Sequence, residues 1–85
     1  MARLPVVEPE PCLEMQAFAE NIRDERIRQK LTQRAFATRV GITQAYLVKV
    51  ENARTNLSLN TASKIAQEVN IPLWKLIKKS VSFQP

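Results

Sequence analysis

The chain has 85 residues, 45% of them hydrophobic and 25% charged, with a net charge of +5. This length suffices for one domain at most, and the composition is that of a globular protein. With no histidine and one cysteine, Cys12, the chain cannot form an intramolecular disulfide, and it lacks the residues that zinc sites and histidine-based catalysis usually need.

Residues 1–13 predict an extended arm, because Pro5, Pro9 and Pro11 restrict the backbone on both sides of each ring. These prolines and the acidic residues interrupt the apolar stretch that a signal peptide would need, and no apolar run could span a membrane. We therefore expect a cytoplasmic protein, in which Cys12 is an ordinary residue of the arm.

The charge is unevenly distributed. Residues 1–14 have a net charge of −2, whereas residues 15–57 and 58–85 have +4 and +3. A basic body indicates a polyanionic partner, although basic charge on a small protein also serves solubility alone.

Beyond the arm, helix formers dominate and proline is absent until Pro72, which predicts an all-α domain over residues 14–79 and a tail over residues 80–85. The hydroxyl residues before the second, third and fourth apolar-periodic segments favour helix N-caps, and Pro72 favours the first turn of a fifth helix. The predicted helices are 14–30, a second from the Thr32 cap to about Arg39, a third after Thr43, a fourth after Ser58 and a short fifth from Pro72.

The stretch TQRAFATRVGITQAYLVKVEN contains Gly41, the only glycine of the chain. A sharp turn between the second and third helices needs a left-handed residue, which glycine provides at little cost. Ala37, one helical turn earlier, is small enough to let the third helix cross closely. This pattern indicates a helix-turn-helix over residues 33–52, whose second helix can enter a major groove.

These residues resemble the Cro and phage-repressor-like helix-turn-helix family, also called the xenobiotic-response-element type. The resemblance covers residues 15–79 and implies a five-helix, lambda-repressor-like DNA-binding domain, here with an extended N-terminal arm. It is carried by RIRQKLTQ, by SLNTASKIAQEVNIPLWKLI, and by Gln33, Ala37, Gly41, Leu47, Val50, Glu51 and Asn52.

The chain departs from the family at two places where glycine is common, the end of the first helix and the turn after Glu51-Asn52. Lys30 and Ala53 stand there. Either both adopt left-handed backbones, at a cost on the order of 1 kcal/mol each, or the two segments end differently.

The third helix is the expected recognition helix. The resemblance implies base contacts by Gln44, Ala45 and Lys49. Gln44 can pair with adenine, Lys49 can donate to guanine and Ala45 can touch a thymine methyl. The alternative is a solvated polar face.

Five residues are candidates for phosphate contacts, which position a protein without reading sequence. For Gln33, the resemblance implies an alternative role, in which it braces a side chain of the recognition helix. For Tyr46, the alternative is half-buried packing. The five are Gln33, Thr43, Tyr46, Asn52 and Arg54.

The resemblance implies a structural salt bridge between Arg26 and Glu51. The carboxylates of the first predicted helix, including Glu25 before Arg28, read as stabilising charges on its exposed surface. The chain has no glycine-rich phosphate loop and no base that could activate Cys12, so we expect no enzyme, cofactor or metal.

Trp74 is predicted to point outward from the fifth helix. Family members frequently dimerise through this region, and we expect a homodimer contact formed by Trp74, Ile77, Val81 and Phe83, to which Val6 and Val7 of the arm could add. The alternative is that Trp74 packs under its own tail.

The function expected from the resemblance is a transcriptional regulator that binds a palindromic operator in double-stranded DNA as a homodimer, of the phage-repressor or restriction–modification controller type. The alternative is an antitoxin-like interaction module that binds a toxin partner, with the acidic arm as the partner-binding segment.

Overall fold

The computed structural model describes residues 11–78, which form five helices and no strand. The all-helical fold and the order of the helices confirm the sequence prediction. The arm apart from Pro11, Cys12 and Leu13, and the tail with Val81 and Phe83, lie outside the described residues. The helices are α1 Leu13–Arg28, α2 Gln33–Val40, α3 Gln44–Glu51, α4 Leu59–Val69 and α5 Leu73–Leu76.

Side-chain caps fix where the first four helices begin. The hydroxyls of Thr32, Thr43 and Ser58 each accept a hydrogen bond, at 3.0 Å, from the backbone N–H three residues later. These are the predicted caps. Cys12 takes the same position before α1, where its thiol sulfur accepts from the Met15 N–H at 3.4 Å. Cys12 is therefore an N-cap, a role that its position in a proline-rich arm did not indicate.

The ends of α1 to α4 share one backbone motif. In each, a residue with a left-handed backbone lies just beyond the helix. Its N–H and the N–H of the next residue both donate to carbonyls in the last turn of that helix. The left-handed residues are Lys30 (φ 58°), Gly41 (φ 82°), Ala53 (φ 55°) and Asn70 (φ 60°). Lys30 and Ala53 thus take the first of the two predicted alternatives, with strained left-handed backbones.

We expect Lys30→Gly and Ala53→Gly each to raise the free energy of unfolding by about 1 kcal/mol, because glycine adopts this backbone without strain. Urea denaturation monitored by circular dichroism measures the change. Lys30→Ala is the matched control, since it removes the charge and keeps the strain, and we expect no gain from it. Glycine variants no more stable than the wild type would contradict the explanation.

The core receives side chains from all five helices. Ala37 and Val40 of α2 are buried, and so are Leu47 and Val50 of α3, so the two helices of the turn pack closely. The side chains that are most fully buried are Phe18, Phe36, Ile22, Leu47, Ile65, Leu76, Val40 and Val50.

Glu25 differs from the expectation of an exposed carboxylate, because it is only 8% exposed. The Arg28 guanidinium donates to it at 3.0 and 2.5 Å, and the Gln29 amide donates at 2.6 Å. The hydrogen bond from Arg28 holds the pKa of Glu25 below its usual value, against the opposing effect of burial. Gln29 in turn accepts from Arg39 of α2 at 3.2 Å, so the carboxylate anchors a contact between α1 and α2.

Candidate nucleic-acid interface

The outer face of α3 carries the three residues predicted to contact bases. Gln44, Ala45 and Lys49 are all exposed, whereas Leu47, Val50 and Glu51 are buried against the rest of the domain. The helix therefore presents a polar and small-residue surface to solvent along its length. Base contact by these residues stays a prediction.

Val48 belongs to the same outer face of α3, although no role was predicted for it from the sequence. It is half-buried, and with Ala45, Lys49 and Asn52 it follows the spacing i, i+3, i+4, i+7 that defines one side of a helix. That spacing was the signal that could have identified it. An apolar β-branched side chain at the centre of this face has the chemistry to contact a thymine methyl.

The predicted phosphate contacts divide into two groups. Thr43, Asn52 and Arg54 are exposed, and the Thr43 hydroxyl, which accepts from the Tyr46 N–H, keeps its own hydrogen for another acceptor. Tyr46 is half-buried and packs against the core, which matches its alternative interpretation.

Gln33 is also half-buried, and its side-chain amide donates to Glu51 Oε1 at 3.2 Å. The brace between Gln33 and the recognition helix is thus present in the structure. One amide hydrogen remains that could reach a phosphate.

The Arg26–Glu51 ion pair lies where α1, α2 and α3 meet. Arg26 Nε is 2.7 Å from Glu51 Oε2, and Arg26 Nη2 is 3.1 Å from Oε1. Arg26 Nη1 also donates to the Leu31 carbonyl, and Arg23 Nη2 donates to the Glu51 carbonyl, both at 3.0 Å. Glu51 is 4% exposed, so its charge is compensated entirely by protein groups.

We expect Glu51→Ala to lower the free energy of unfolding by roughly 3 kcal/mol, because it leaves the Arg26 guanidinium uncompensated at this junction. Thermal denaturation measures the loss. Glu68→Ala is the control, since Glu68 is exposed on α4 and should change stability by no more than about 0.5 kcal/mol. An unchanged melting temperature in Glu51→Ala would refute a structural role.

Burial of Glu51 leaves the helix-turn-helix surface without an exposed carboxylate. Glu51 is the only acidic residue between positions 27 and 67, whereas seven basic residues there are all exposed. The exposed acids lie elsewhere on α1 and α4. A surface with this imbalance attracts a polyanion such as the DNA backbone. The seven are Lys30, Arg34, Arg39, Lys49, Arg54, Lys64 and Arg28, the last of which is ion-paired with Glu25 of α1.

The predicted dimer residues fall only partly within the described chain. Trp74 points outward as predicted and is 60% exposed, with Lys75 Nζ 5.6 Å from its ring centroid. Ile77 is half-buried and packs against the core, so it offers only part of its side chain to a partner.

Comparison with known families identifies this architecture. A helix-turn-helix family model matches residues 22–73, which is more than half of the chain. The chain belongs to the helix-turn-helix family of the Cro and phage-repressor type. Membership makes it a DNA-binding regulator and argues against an enzyme. No curated protein sequence is significantly similar to it.

Solved structures with the same fold are similar over most of this helix-turn-helix protein. The hypothetical transcription factor NHTF from Neisseria has 25% sequence identity and a TM-score of 0.73, over 92% of this chain and 90% of that one. The restriction–modification controller protein C.AhdI from Aeromonas hydrophila has 26% identity and a TM-score of 0.67, over 76% of this chain and 98% of that one. The controller protein C.Esp1396I, at 14% identity, a TM-score of 0.71 and coverage of 87% and 99%, shares the fold alone.

Among the described residues, no helix is both long and apolar enough to cross a membrane.

Proposed function

We propose that this helix-turn-helix protein is a sequence-specific transcriptional regulator that binds a palindromic operator as a homodimer. The observation that carries the proposal is the exposed outer face of α3, in a segment from position 27 to position 67 whose seven basic residues are all exposed and whose only carboxylate, that of Glu51, is buried. The similarity to C.AhdI at 26% identity supports the controller type. Such a protein acts in the compartment that holds the DNA, which for a regulator of this type is the cytoplasm.

Sequence reading is assigned to the outer face of α3. Gln44 can bond bidentately to adenine, and Lys49 can donate to the acceptors of guanine. Ala45 and Val48 offer apolar contact to thymine methyls between these polar residues. Arg54, together with Thr43 and Asn52, would contact phosphates and thereby fix the position of α3 in the groove.

Selection of bound duplexes from a random DNA pool tests this assignment. We expect a palindromic consensus from the wild type. Gln44→Ala and Lys49→Ala should each relax one position per half-site, with a loss of about 1–3 kcal/mol against the preferred base. Arg54→Ala is the matched control, because losing a phosphate contact should weaken all sequences alike and lower the salt slope by about 1.

Two other results of the selection would distinguish base contacts from phosphate contacts. If Gln44→Ala and Lys49→Ala select the wild-type consensus at every position, α3 does not read bases through these residues. If binding yields no consensus and disappears steeply with salt, only phosphate contacts remain.

Dimerisation is assigned to the surface around Trp74. A two-fold dimer places its two recognition helices in successive major grooves, with half-site centres about 34 Å apart. An exposed tryptophan is typical of interface hot spots, where truncation costs about 2 kcal/mol or more. The other predicted members of the dimer contact, Val81, Phe83, Val6 and Val7, lie outside the described residues. They include Phe83 and Val7, against which Trp74 would pack in the intramolecular alternative.

We expect Trp74→Ala to raise the dimer dissociation constant by about 30-fold, as loss of a hot spot does. Analytical ultracentrifugation over a concentration series measures it. Leu59→Ala is the control, since Leu59 is also a large exposed apolar residue, at 75% exposure, but lies on α4. An unaltered dimer in Trp74→Ala removes Trp74 from the interface.

The antitoxin alternative depends on the acidic arm, most of which lies outside the described residues. The basic outer surface of the helix-turn-helix favours DNA as the partner. DNA, and not a toxin, is therefore the proposed partner.

A further inference from the structure

Helix α5 is too short to hold its own orientation. It has four residues, and a single helical turn is not stable by itself in water. Leu76 is its only buried residue, and its backbone hydrogen bonding ends at Ile77, whose N–H donates to the Leu73 and Lys75 carbonyls. Contacts from the rest of the domain must therefore fix its direction.

Asn21 of α1 supplies a polar contact of this kind. Its side-chain Nδ2 is 2.7 Å from the Leu76 carbonyl, 3.1 Å from the Lys78 carbonyl and 3.4 Å from the Lys75 carbonyl. One half-buried amide group thus caps the C-terminal end of α5 from a position more than 50 residues earlier in the chain. Because several carbonyls converge on it, the contact constrains rotation of α5 as well as its distance from α1.

Helix α1 makes its polar contacts with α3 on a different side. Asn21 and Arg26 are five residues apart, which places them about 140° apart around a helix, with the buried residue Ile22 between them. Arg23 and Arg26 hold the C-terminal end of α3, at the Glu51 carbonyl and carboxylate respectively. A single rigid helix therefore connects the recognition helix to α5.

We infer that Asn21 is a positioning residue for operator spacing: by fixing α5 on α1, it fixes the Trp74 surface relative to α3. The inference rests on the proposed dimerisation through α5. In such a dimer, the separation and angle of the two recognition helices depend on how α5 is attached to each subunit. One base pair more or less between half-sites displaces them by about 3.4 Å and rotates them by about 35°. If α5 is held rigidly on each subunit, the dimer binds poorly to DNA with the altered spacing. If α5 is held loosely, the dimer binds both spacings.

The test uses Asn21→Asp, which keeps the size of the side chain and replaces the donor with oxygens that repel the α5 carbonyls. Binding is measured on duplexes with the selected half-sites at the preferred spacing and with one base pair added or removed. We expect the preference for the correct spacing to fall about fivefold, which corresponds to about 1 kcal/mol, while binding to an isolated half-site is unchanged. Gln67→Glu is the matched control, because it makes the same amide-to-carboxylate change at an exposed position of α4.

A second measurement reports on α5 without DNA or a dimer. Trp74 is the only tryptophan, so a change in its fluorescence anisotropy between dilute monomers that tumble alike reports a change in local motion at α5. We expect lower anisotropy in Asn21→Asp than in the wild type or Gln67→Glu. If Asn21→Asp fails to fold, Asn21→Ala, which removes the donor without adding charge, is measured in the same way.

The outcomes separate this inference from the proposed function. A wild-type dimer with strict spacing whose Asn21 variants keep both the spacing preference and the anisotropy overturns the role of Asn21 alone. A wild type that binds every site as a monomer overturns the proposed dimer, and the spacing role with it. Loss of spacing preference together with lower anisotropy supports the inference.

Discussion

The ion pair between Arg26 and Glu51 is the interaction on which the rest of this structure depends. A carboxylate at the end of the recognition helix is buried, and burial of a charge is tolerated only when other groups compensate it. Arg26 of α1 and Gln33 of α2 bind the carboxylate, while Arg23 binds the carbonyl of the same residue. These contacts fix α3 against α1 and α2 at one point, and the apolar core then determines how the helices pack around it.

The same pair determines the electrostatics of the surface. Glu51 is the only carboxylate in a segment with seven exposed basic residues, and its charge is neutralised internally by Arg26. The outer face of α3 therefore has no exposed anion of its own segment to repel phosphates. By its position at the end of α3, Glu51 could be taken for a functional group of the recognition helix. Because it is buried, it adds no negative charge to the outer face of that helix. In this segment the buried carboxylate is structural, whereas the residues predicted to contact DNA bases are exposed.

Features with local causes could be predicted from the sequence, and features with tertiary causes could not. Thr32, Thr43 and Ser58 cap their helices because a hydroxyl can accept a bond from its own first turn, so local sequence was sufficient. The contact of Arg39 with Gln29 beside Glu25 and the contact of Asn21 with α5 depend on helices that meet only in the folded domain. For the interface, the sequence predicted the exposed face of α3 but missed Val48, since an apolar residue in a helix is ordinarily assigned to the core.

The left-handed helix ends show how a chain with one glycine can still make tight turns. In three of the four motifs, the residue after the left-handed position is apolar and packs against the core: Leu31, Ile42 and Ile71. This contact anchors the backbone beyond the turn, so that even Lys30 is held in a strained conformation. The motif after α3 differs, because the residue that follows Ala53 is the exposed Arg54. Strain there is balanced by backbone hydrogen bonds and by the bond from Arg23 to Glu51, without an apolar anchor. The turn that presents Arg54 is consequently the least anchored of the four, and a contact between Arg54 and a phosphate would supply from outside the restraint that the core supplies to the others.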